Sequence, residues 1–214
     1  MEFICFDLDE TLISSNKAHI KAYNKAFVKN GLPILDEEKI RKVMIGDTHV
    51  SVIKTLFPKI NHKKLKNIIN DQYKFLLKET GKYAKPIDGA IKILKELKKN
   101  YKIGLISNCH HRQIEVLLKG AKIDKKLFDV IVGSDEVAHG KPYPDEILKA
   151  EKKLHENVDY MIGDSTYDIR AGRVLGATTI CVLTGNTHIS KLIKAKPDYI
   201  IESIKYVPNI ISAE

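Results

Sequence analysis

The sequence predicts an α/β protein: a doubly wound parallel sheet core carrying an all-helical cap inserted after the first strand. Three observations lead there. From Pro86 onward, short apolar strands alternate with amphipathic helices, the pattern of a parallel sheet covered on both faces. One isolated apolar run, Phe3-Ile4-Cys5-Phe6, precedes them and ends in acids, as a buried strand does at a sheet edge carrying ligands. Between these parts, residues 14–82 show helical periodicity and no strand pattern. The expected division is therefore a core of residues 1–13 and 83–214 and a cap of residues 14–82.

Each element has a local reason. The first strand runs from Phe3 toward Asp9. In the cap, apolar spacing through Ala18, Ala22, Ala26 and Phe27 predicts a helix from Lys17 to Asn30 that stops at Gly31. Further helices are expected over Asp36 to Ile45, Thr48 to Phe57 and Asn61 to Thr80, stopped by Gly46, Pro58 and Gly81. The core resumes with helix Asp88 to Lys99, strand Lys102 to Ser107, helix His111 to Lys119 and strand Asp129 to Val132. Helix Asp145 to Leu154, strand Tyr160 to Ile162, helix Thr166 to Leu175 and strand Thr179 to Leu183 follow. A short helix near Ile189 and a strand Tyr199 to Ile201 complete the pattern.

Composition narrows the function. The chain has 214 residues, 43% hydrophobic and 29% charged, enough for one sizeable core. No apolar run approaches the roughly 20 residues of a membrane span, and acids stand where a signal peptide would be basic, so a cytoplasmic protein without membrane contact is expected. Cys5, Cys109 and Cys181 are far apart and set in or beside apolar runs, which suits reduced buried thiols. The net charge of +9 lies wholly in residues 14–82, which hold 15 Lys+Arg against 6 Asp+Glu. Of the 36 basic residues only Arg41, Arg112, Arg170 and Arg173 are arginines, which favours solvated charge over nucleic-acid readout. A lysine-rich cap would instead raise the local concentration of an anionic substrate.

On a parallel sheet, ligands bind beyond the carboxyl ends of the strands. There stand Asp7, Asp9 and Thr11 after the first strand, Ser107 and Asn108 after the second, and Gly163, Asp164 and Asp168 after the fourth. Lys141, between Gly140 and Pro142, lies in the loop after the third. On a strand Asp7 and Asp9 would point to one face and repel, so a cation must hold them. With Asp164 they make a hard oxygen set without histidine or cysteine, which favours Mg²⁺ over zinc. Ser107 and Asn108 place a hydroxyl and backbone N–H groups where a phosphate oxygen docks.

Together these segments resemble the haloacid dehalogenase superfamily, in its phosphatase branch with a helical cap after the first strand. Its four motifs appear in order as Asp7-Leu8-Asp9-Glu10-Thr11, Ser107-Asn108, Lys141 within Gly-Lys-Pro, and Gly163-Asp164-Ser165-Thr166-Tyr167-Asp168. One departure is Glu10, where the family carries glycine. The resemblance implies a Rossmann-like core and a phosphomonoesterase in which Asp7 is the nucleophile and forms an aspartyl-phosphate. It implies Asp9 as general acid and base, and Lys141 with Ser107 and Asn108 as the groups stabilising the phosphoryl oxygens. Mg²⁺ would be held by the Asp7 carboxylate, the Asp9 backbone carbonyl and Asp164. Thr11 and Asp168 would support that site, Asp168 by orienting Lys141 or metal-bound water.

Asp9 separates this chain from the dehalogenases, which lack the second acid. His19 matches a cap histidine of β-phosphoglucomutase, which many phosphatases of the branch also carry. The cap loop Gly46-Asp47-Thr48-His49 supplies candidate substrate contacts but no arginine of the kind with which related mutases grip a second phosphate. The expectation is a phosphatase, monomeric or homodimeric, acting on a small phosphoester such as phosphoglycolate or a sugar phosphate. A sugar-phosphate mutase and a non-catalytic binding module with a basic cap are the alternatives.

Overall fold

The computed structural model describes residues 1–44 and 48–211. The chain runs β1 (Phe3–Phe6), β2 (Ile13–Ser14), then α1 (Asn16–Lys29), α2 (Glu37–Arg41), α3 (His49–Leu56) and α4 (His62–Phe75), returning through β3 (Lys85–Pro86). It continues with α5 (Ala90–Leu97), β4 (Lys102–Ser107), α6 (His111–Gly120), β5 (Val130–Gly133), α7 (Asp145–Leu154), β6 (Tyr160–Gly163) and α8 (Thr166–Val174). β7 (Thr178–Val182), α9 (Ile189–Ala195), β8 (Tyr199–Ile201) and α10 (Val207–Ile211) follow. Among the described residues no helix is long and apolar enough to cross a membrane.

Six strands form one wholly parallel sheet in the order β5-β4-β1-β6-β7-β8. β1 is completely buried because it lies at the centre with helices on both sides. Its alternate residues divide between two clusters, Ile4 and Phe6 in one and Phe3 and Cys5 in the other. From β1 the chain adds strands outward in one direction through β4 and β5, then crosses over and adds β6, β7 and β8 in the other. That reversal opens a crevice past the carboxyl ends of β1 and β6, where such sheets take their ligands. Asp7 and Asp164 immediately follow those two strands.

The helices between the two halves of the core enclose their own apolar cluster, including Ile20, Tyr23, Phe27, Ile40, Ile53 and Ile68. α1 and α4 are amphipathic, with their apolar stripes facing each other, and Asn61 caps α4 by accepting from the Lys64 N–H at 2.9 Å. Two short strands that the sequence pattern did not signal, β2 and β3, pair antiparallel where the chain leaves the core and where it returns. The connections to the helical segment thus run side by side.

Three sequence expectations need correction. α2 is shorter than the stretch from Asp36 to Ile45, since only its first turn is held by the Asp36 cap and by Ile40 in the apolar cluster. The helix expected over Asn61 to Thr80 changes at Leu76 into a wider π turn, then a 3₁₀ turn at Gly81–Tyr83. β1 ends at Phe6, so Asp7 and Asp9 do not share a strand face. After Asp7 the chain curls back, with the Leu12 and Ile13 N–H groups bonding the Leu8 carbonyl at 3.0 and 3.1 Å, and Glu10 takes a φ of 58°.

Candidate active site

Asp7 takes the last sheet bond of its segment, donating its N–H to Ile162 O at 2.9 Å, and its side chain is buried. Lys141 reaches it from the loop after β5. Its Nζ lies 2.5 Å from Asp7 Oδ1, 2.7 Å from Asp168 Oδ1 and 3.4 Å from Ile106 O. Asp168 stands in the first turn of α8 and uses its other oxygen to accept from Ser165 N–H at 3.0 Å and Ser165 Oγ at 2.6 Å. The helix start therefore fixes Asp168, and Asp168 fixes the lysine. Only glycine fits at 163, because a Cβ there would stand 2.2 Å from Asp168 Cγ.

Asp164 completes a group in which Asp7, Asp164 and Asp168 each bring an oxygen within 4.8 Å of the others. Burial, with Asp168 and Asp9 close by, lifts the Asp7 carboxyl to about 8 against the pull of Lys141. Burial and the charges of Asp7 and Asp168 raise Asp164 well above the carboxylate range. For Lys141 burial works against the charge, but Asp168 and Asp7 outweigh it and keep the ammonium protonated. The loop after β7 closes this side, and at Gly185 a Cβ would meet Asp164 Oδ2 at 1.8 Å.

Ser107 ends β4 fully buried, its Oγ accepting from Cys109 N–H at 3.1 Å. Asn108 donates to Lys141 O at 3.0 Å and so ties its loop to the lysine loop. Thr11 is fully buried, and its hydroxyl has no hydrogen-bond partner among the described residues.

Asp9 faces elsewhere. His19 Nε2 on α1 lies 3.3 Å from its Oδ1, and Cys109 Sγ donates to its Oδ2 at 3.3 Å. Against the expectation of acids without histidine or cysteine nearby, Asp9 thus stands beside one of each. Burial pushes the Asp9 carboxyl up, but hydrogen bonds from His19, Ser15 and Cys109 and the His19 charge hold it down at about 2. Asp9 stays the more open of the two acids, with its side chain 28% exposed against 9% for Asp7.

Both carboxylates open into a chamber of about 520 Å³ between the sheet end and the helical segment, a size typical of small-molecule sites. On its far side Tyr23 Oη lies 2.6 Å from His49 Nδ1, with Met44, Val50, Val52 and Ile69 around them. Burial and the nearby His19 and His110 rings push His49 down to about 4, so the ring is neutral near pH 7. Thr48 also lines the chamber, and its hydroxyl caps α3 by accepting from Ser51 N–H at 3.3 Å. Gly46 and Asp47 lie outside the described residues. Among the described lining residues Lys141 is the one lysine or arginine.

Sequence reasoning missed several parts of this site. Cys109 looked like an ordinary apolar-run thiol. His110 and His139 also line the chamber, each two residues from a motif residue, Asn108 and Lys141. Asn186 bonds both Asn16 on α1 and Met44 O, linking the loop after β7 to the helical segment. A usable signal existed there, since Thr184-Gly185-Asn186 follows a parallel strand at the ligand-bearing edge. Glu10 takes a conformation natural to glycine, and its Oε1 accepts the Ser15 and Asn16 N–H groups at 2.8 and 2.9 Å, capping α1.

Comparison with known proteins agrees with this arrangement. Residues 4–182 match the model of the family described as haloacid dehalogenase-like hydrolase. A pyrophosphatase, PpaX, of Bacillus mycoides is 28% identical over 215 residues, covering 98% of this chain and 96% of the relative. A hydrolase from Pseudomonas syringae superposes with a TM-score of 0.82 at 26% identity, covering 100% of this chain and 99% of its own. The fold is also that of a structure described as a predicted phosphoglycolate phosphatase from Haemophilus somnus, with a TM-score of 0.83 at 21% identity over 99% of this chain and 98% of that one. With the sheet reversal, the ordered strand-end acids and a family match over most of its length, the chain belongs to the haloacid dehalogenase-like hydrolases, in their phosphatase branch.

Proposed function

We propose that this protein is a Mg²⁺-dependent phosphomonoesterase acting through an aspartyl-phosphate on a small, otherwise uncharged phosphoester of the sugar-phosphate kind. One observation carries the reading: a buried lysine clamped between Asp7 and Asp168, beside Asp164, at the crevice where the sheet order reverses. Such a group faces a phosphoryl centre with a carboxylate to attack and an ammonium to hold the transferring oxygens.

The donor set fits Mg²⁺. Three carboxylates crowd within 4.8 Å, all hard oxygen donors, and the Lys141 ammonium offsets only part of their charge. Asp7 and Asp164, with the Asp9 backbone carbonyl, would hold the ion. When bound it would keep the Asp7 carboxylate ionised and share the phosphoryl charge.

In the proposed cycle, a carboxylate oxygen of Asp7 forms a bond to phosphorus as the bond to the leaving oxygen breaks. Asp9 gives its proton to that oxygen, then takes one from the water that cleaves the acyl phosphate and releases inorganic phosphate. His19 and Cys109 hold Asp9 ionised in the free protein. The entering phosphoryl dianion beside it raises its proton affinity, so substrate binding loads the acid. Lys141 Nζ, Ser107 and the Asn108 region stabilise the transferring oxygens, and Asp168 positions the lysine. Residues 14–82 act as a cap, with the paired β2 and β3 as its hinge.

The chamber narrows the substrate. Its leaving-group side presents a neutral His49, a tyrosine and apolar side chains, and among the described residues no lysine or arginine beyond Lys141. Ile45, Gly46 and Asp47 bring no cation by identity. A second anionic group, whether the carboxylate of phosphoglycolate, the second phosphate of pyrophosphate or that of a mutase's bisphosphate intermediate, would meet no lysine or arginine there among the described residues.

Phosphate release from sugar phosphates, phosphoglycolate and pyrophosphate, with Mg²⁺ and with chelator, tests this reading. Expected is metal-dependent turnover, fastest on sugar phosphates and abolished by Asp7→Asn. Turnover of pyrophosphate above every monoester would overturn the substrate reading, and full activity of Asp7→Asn the mechanism.

A further inference from the structure

We propose that Asp9, His19 and Cys109 form a second metal site, separate from the oxygen cluster, that takes a thiophilic divalent cation of the zinc type. The three side chains come from the loop after β1, from α1 and from the loop after β4, and their donor atoms lie within 4.8 Å of one another. The edges are 3.3 Å from His19 Nε2 to Asp9 Oδ1, 3.3 Å from Cys109 Sγ to Asp9 Oδ2, and 4.0 Å from Cys109 Sγ to His19 Nε2. A tetrahedral ion with bonds of about 2.3 Å to sulfur and about 2.0 Å to nitrogen and oxygen requires donor separations of about 3.3–3.6 Å. The two Asp9 edges run to different carboxylate oxygens, so an ion takes one of them as the carboxylate turns, while Cys109 Sγ and His19 Nε2 close by about half an ångström.

The ring's other nitrogen supplies an independent observation. Gln72, fully buried, sets its side-chain Nε2 3.4 Å from His19 Nδ1, while its Oε1 has no partner among the described residues. Turned by half a rotation, the amide offers that orphan oxygen to an Nδ1–H. This is the tautomer that frees the Nε2 lone pair for a metal, and an oriented partner on the far nitrogen is the usual support of a ligating histidine. As the ion binds, the sulfur–metal bond replaces the sulfur–hydrogen bond and the thiol proton leaves to solvent.

The two sites differ in what they select. Three carboxylates suit Mg²⁺, whereas a thiol, an imidazole and one carboxylate suit zinc. All three donors of the second site line the chamber, so the fourth position faces the space where substrate enters. Because His19 is on α1 and the other two are on the sheet side, a bound ion would pin the helical segment to the core. It would also occupy the carboxylate that moves the proton, and this consequence alone rests on the function proposed above.

Titrating Co²⁺ into the intact protein saturated with Mg²⁺ tests the site, since only a thiolate-bound cobalt gives an intense sulfur-to-metal charge-transfer band in the near ultraviolet. Expected is a band that saturates at one equivalent, is lost in Cys109→Ser and persists in Cys181→Ala. His19→Gln should weaken cobalt affinity about tenfold or more. No thiolate band in the wild type, a band surviving in Cys109→Ser, or unchanged affinity in His19→Gln would each overturn the proposal. Phosphate release followed in the same titration separates the two readings. Turnover should fall as the band grows, and a full band with undiminished turnover would leave the site standing and remove Asp9 from proton transfer.

Discussion

Two residues apart in sequence, Asp7 and Asp9 belong to opposite regions of the site. On the sheet side Asp7 sits among charges, bonded to Lys141 and within reach of Asp164 and Asp168, and its carboxyl is pushed up to about 8. Asp9, turned toward the helical segment, accepts from a histidine on α1 and from a thiol and is held down at about 2. Beyond it the wall includes a neutral imidazole, a phenol and apolar side chains, with Thr48 and Asn186 among its uncharged polar groups. On the function proposed above, the sheet end concentrates the charge that phosphoryl transfer needs, and the helical side supplies surface for recognition.

The protein's excess positive charge illustrates the same split. Lys17, Lys21, Lys25 and Lys29 recur every four residues along α1 and form one stripe. They pack over Tyr83 and Phe75 or pair with Glu79 and Asp71, on the helix face opposite His19 and Tyr23. Charge that looked like a substrate-gathering device along the sequence is, on this helix, turned away from the chamber.

The largest effect should follow from emptying the charged side. Lys141→Met removes the ammonium that contacts both Asp7 and Asp168. It should lower kcat by about 10²–10³-fold, as loss of a phosphoryl-stabilising donor does. It leaves two buried carboxylates facing each other without their cation, so unfolding in urea should show a loss of about 3–5 kcal/mol at low Mg²⁺, partly restored as Mg²⁺ is raised. A loss confined to KM would place Lys141 in binding alone and break the distinction between the two sides.

A smaller effect of a different kind should come from the helical side. Tyr23→Phe removes the hydroxyl that meets His49 at 2.6 Å. KM for the best ester should rise about 3–10-fold with kcat within about twofold, the signature of lost uniform binding. Stability should fall by about 1 kcal/mol, the worth of one hydrogen bond. A drop in kcat with KM unchanged would show that the phenol acts on the reacting centre after all.

How much of this was legible in the sequence follows the same line. The sheet-end residues could be read because each sits at the carboxyl end of a strand whose apolar run is visible locally, and parallel topology brings such ends together. Asp7, Ser107 and Asp164 were found this way, and Lys141, in the loop after β5, by its place in Gly-Lys-Pro among the four motifs. His19, Thr48 and His49 were named from the sequence and line the chamber, but the contacts that build it could not be read, since they join residues far apart in the chain without a periodic signal. Cys109 meets Asp9 across 100 positions, Asn186 meets Asn16 across 170, and Tyr23 pairs with His49 between two helices. The β2–β3 pair is too short to show alternation. Asp9 was misplaced on a strand because the sharp turn at Glu10 needs a positive φ, which a glutamate does not announce.

That turn carries the subtlest prediction, because it is where the two regions are joined. Glu10 holds a φ of 58°, which costs a residue with a Cβ about 1 kcal/mol, and its side chain offsets the strain by capping α1 through Ser15 and Asn16. Its carbonyl accepts from Thr184 Oγ1 at 2.5 Å, tying the same turn to the loop that closes over Asp164. Glu10→Ala loses the cap and keeps the strain, so urea unfolding should show a loss of about 1–2 kcal/mol. Glu10→Gly loses the cap and sheds the strain, and should be about 1 kcal/mol more stable than the alanine variant even though glycine loosens the unfolded chain. KM should rise slightly in both, since α1 carries His19 and Tyr23 into the chamber. Equal stability of the two variants would mean that the turn stores no strain, and that Glu10 joins sheet to helix through its side chain alone.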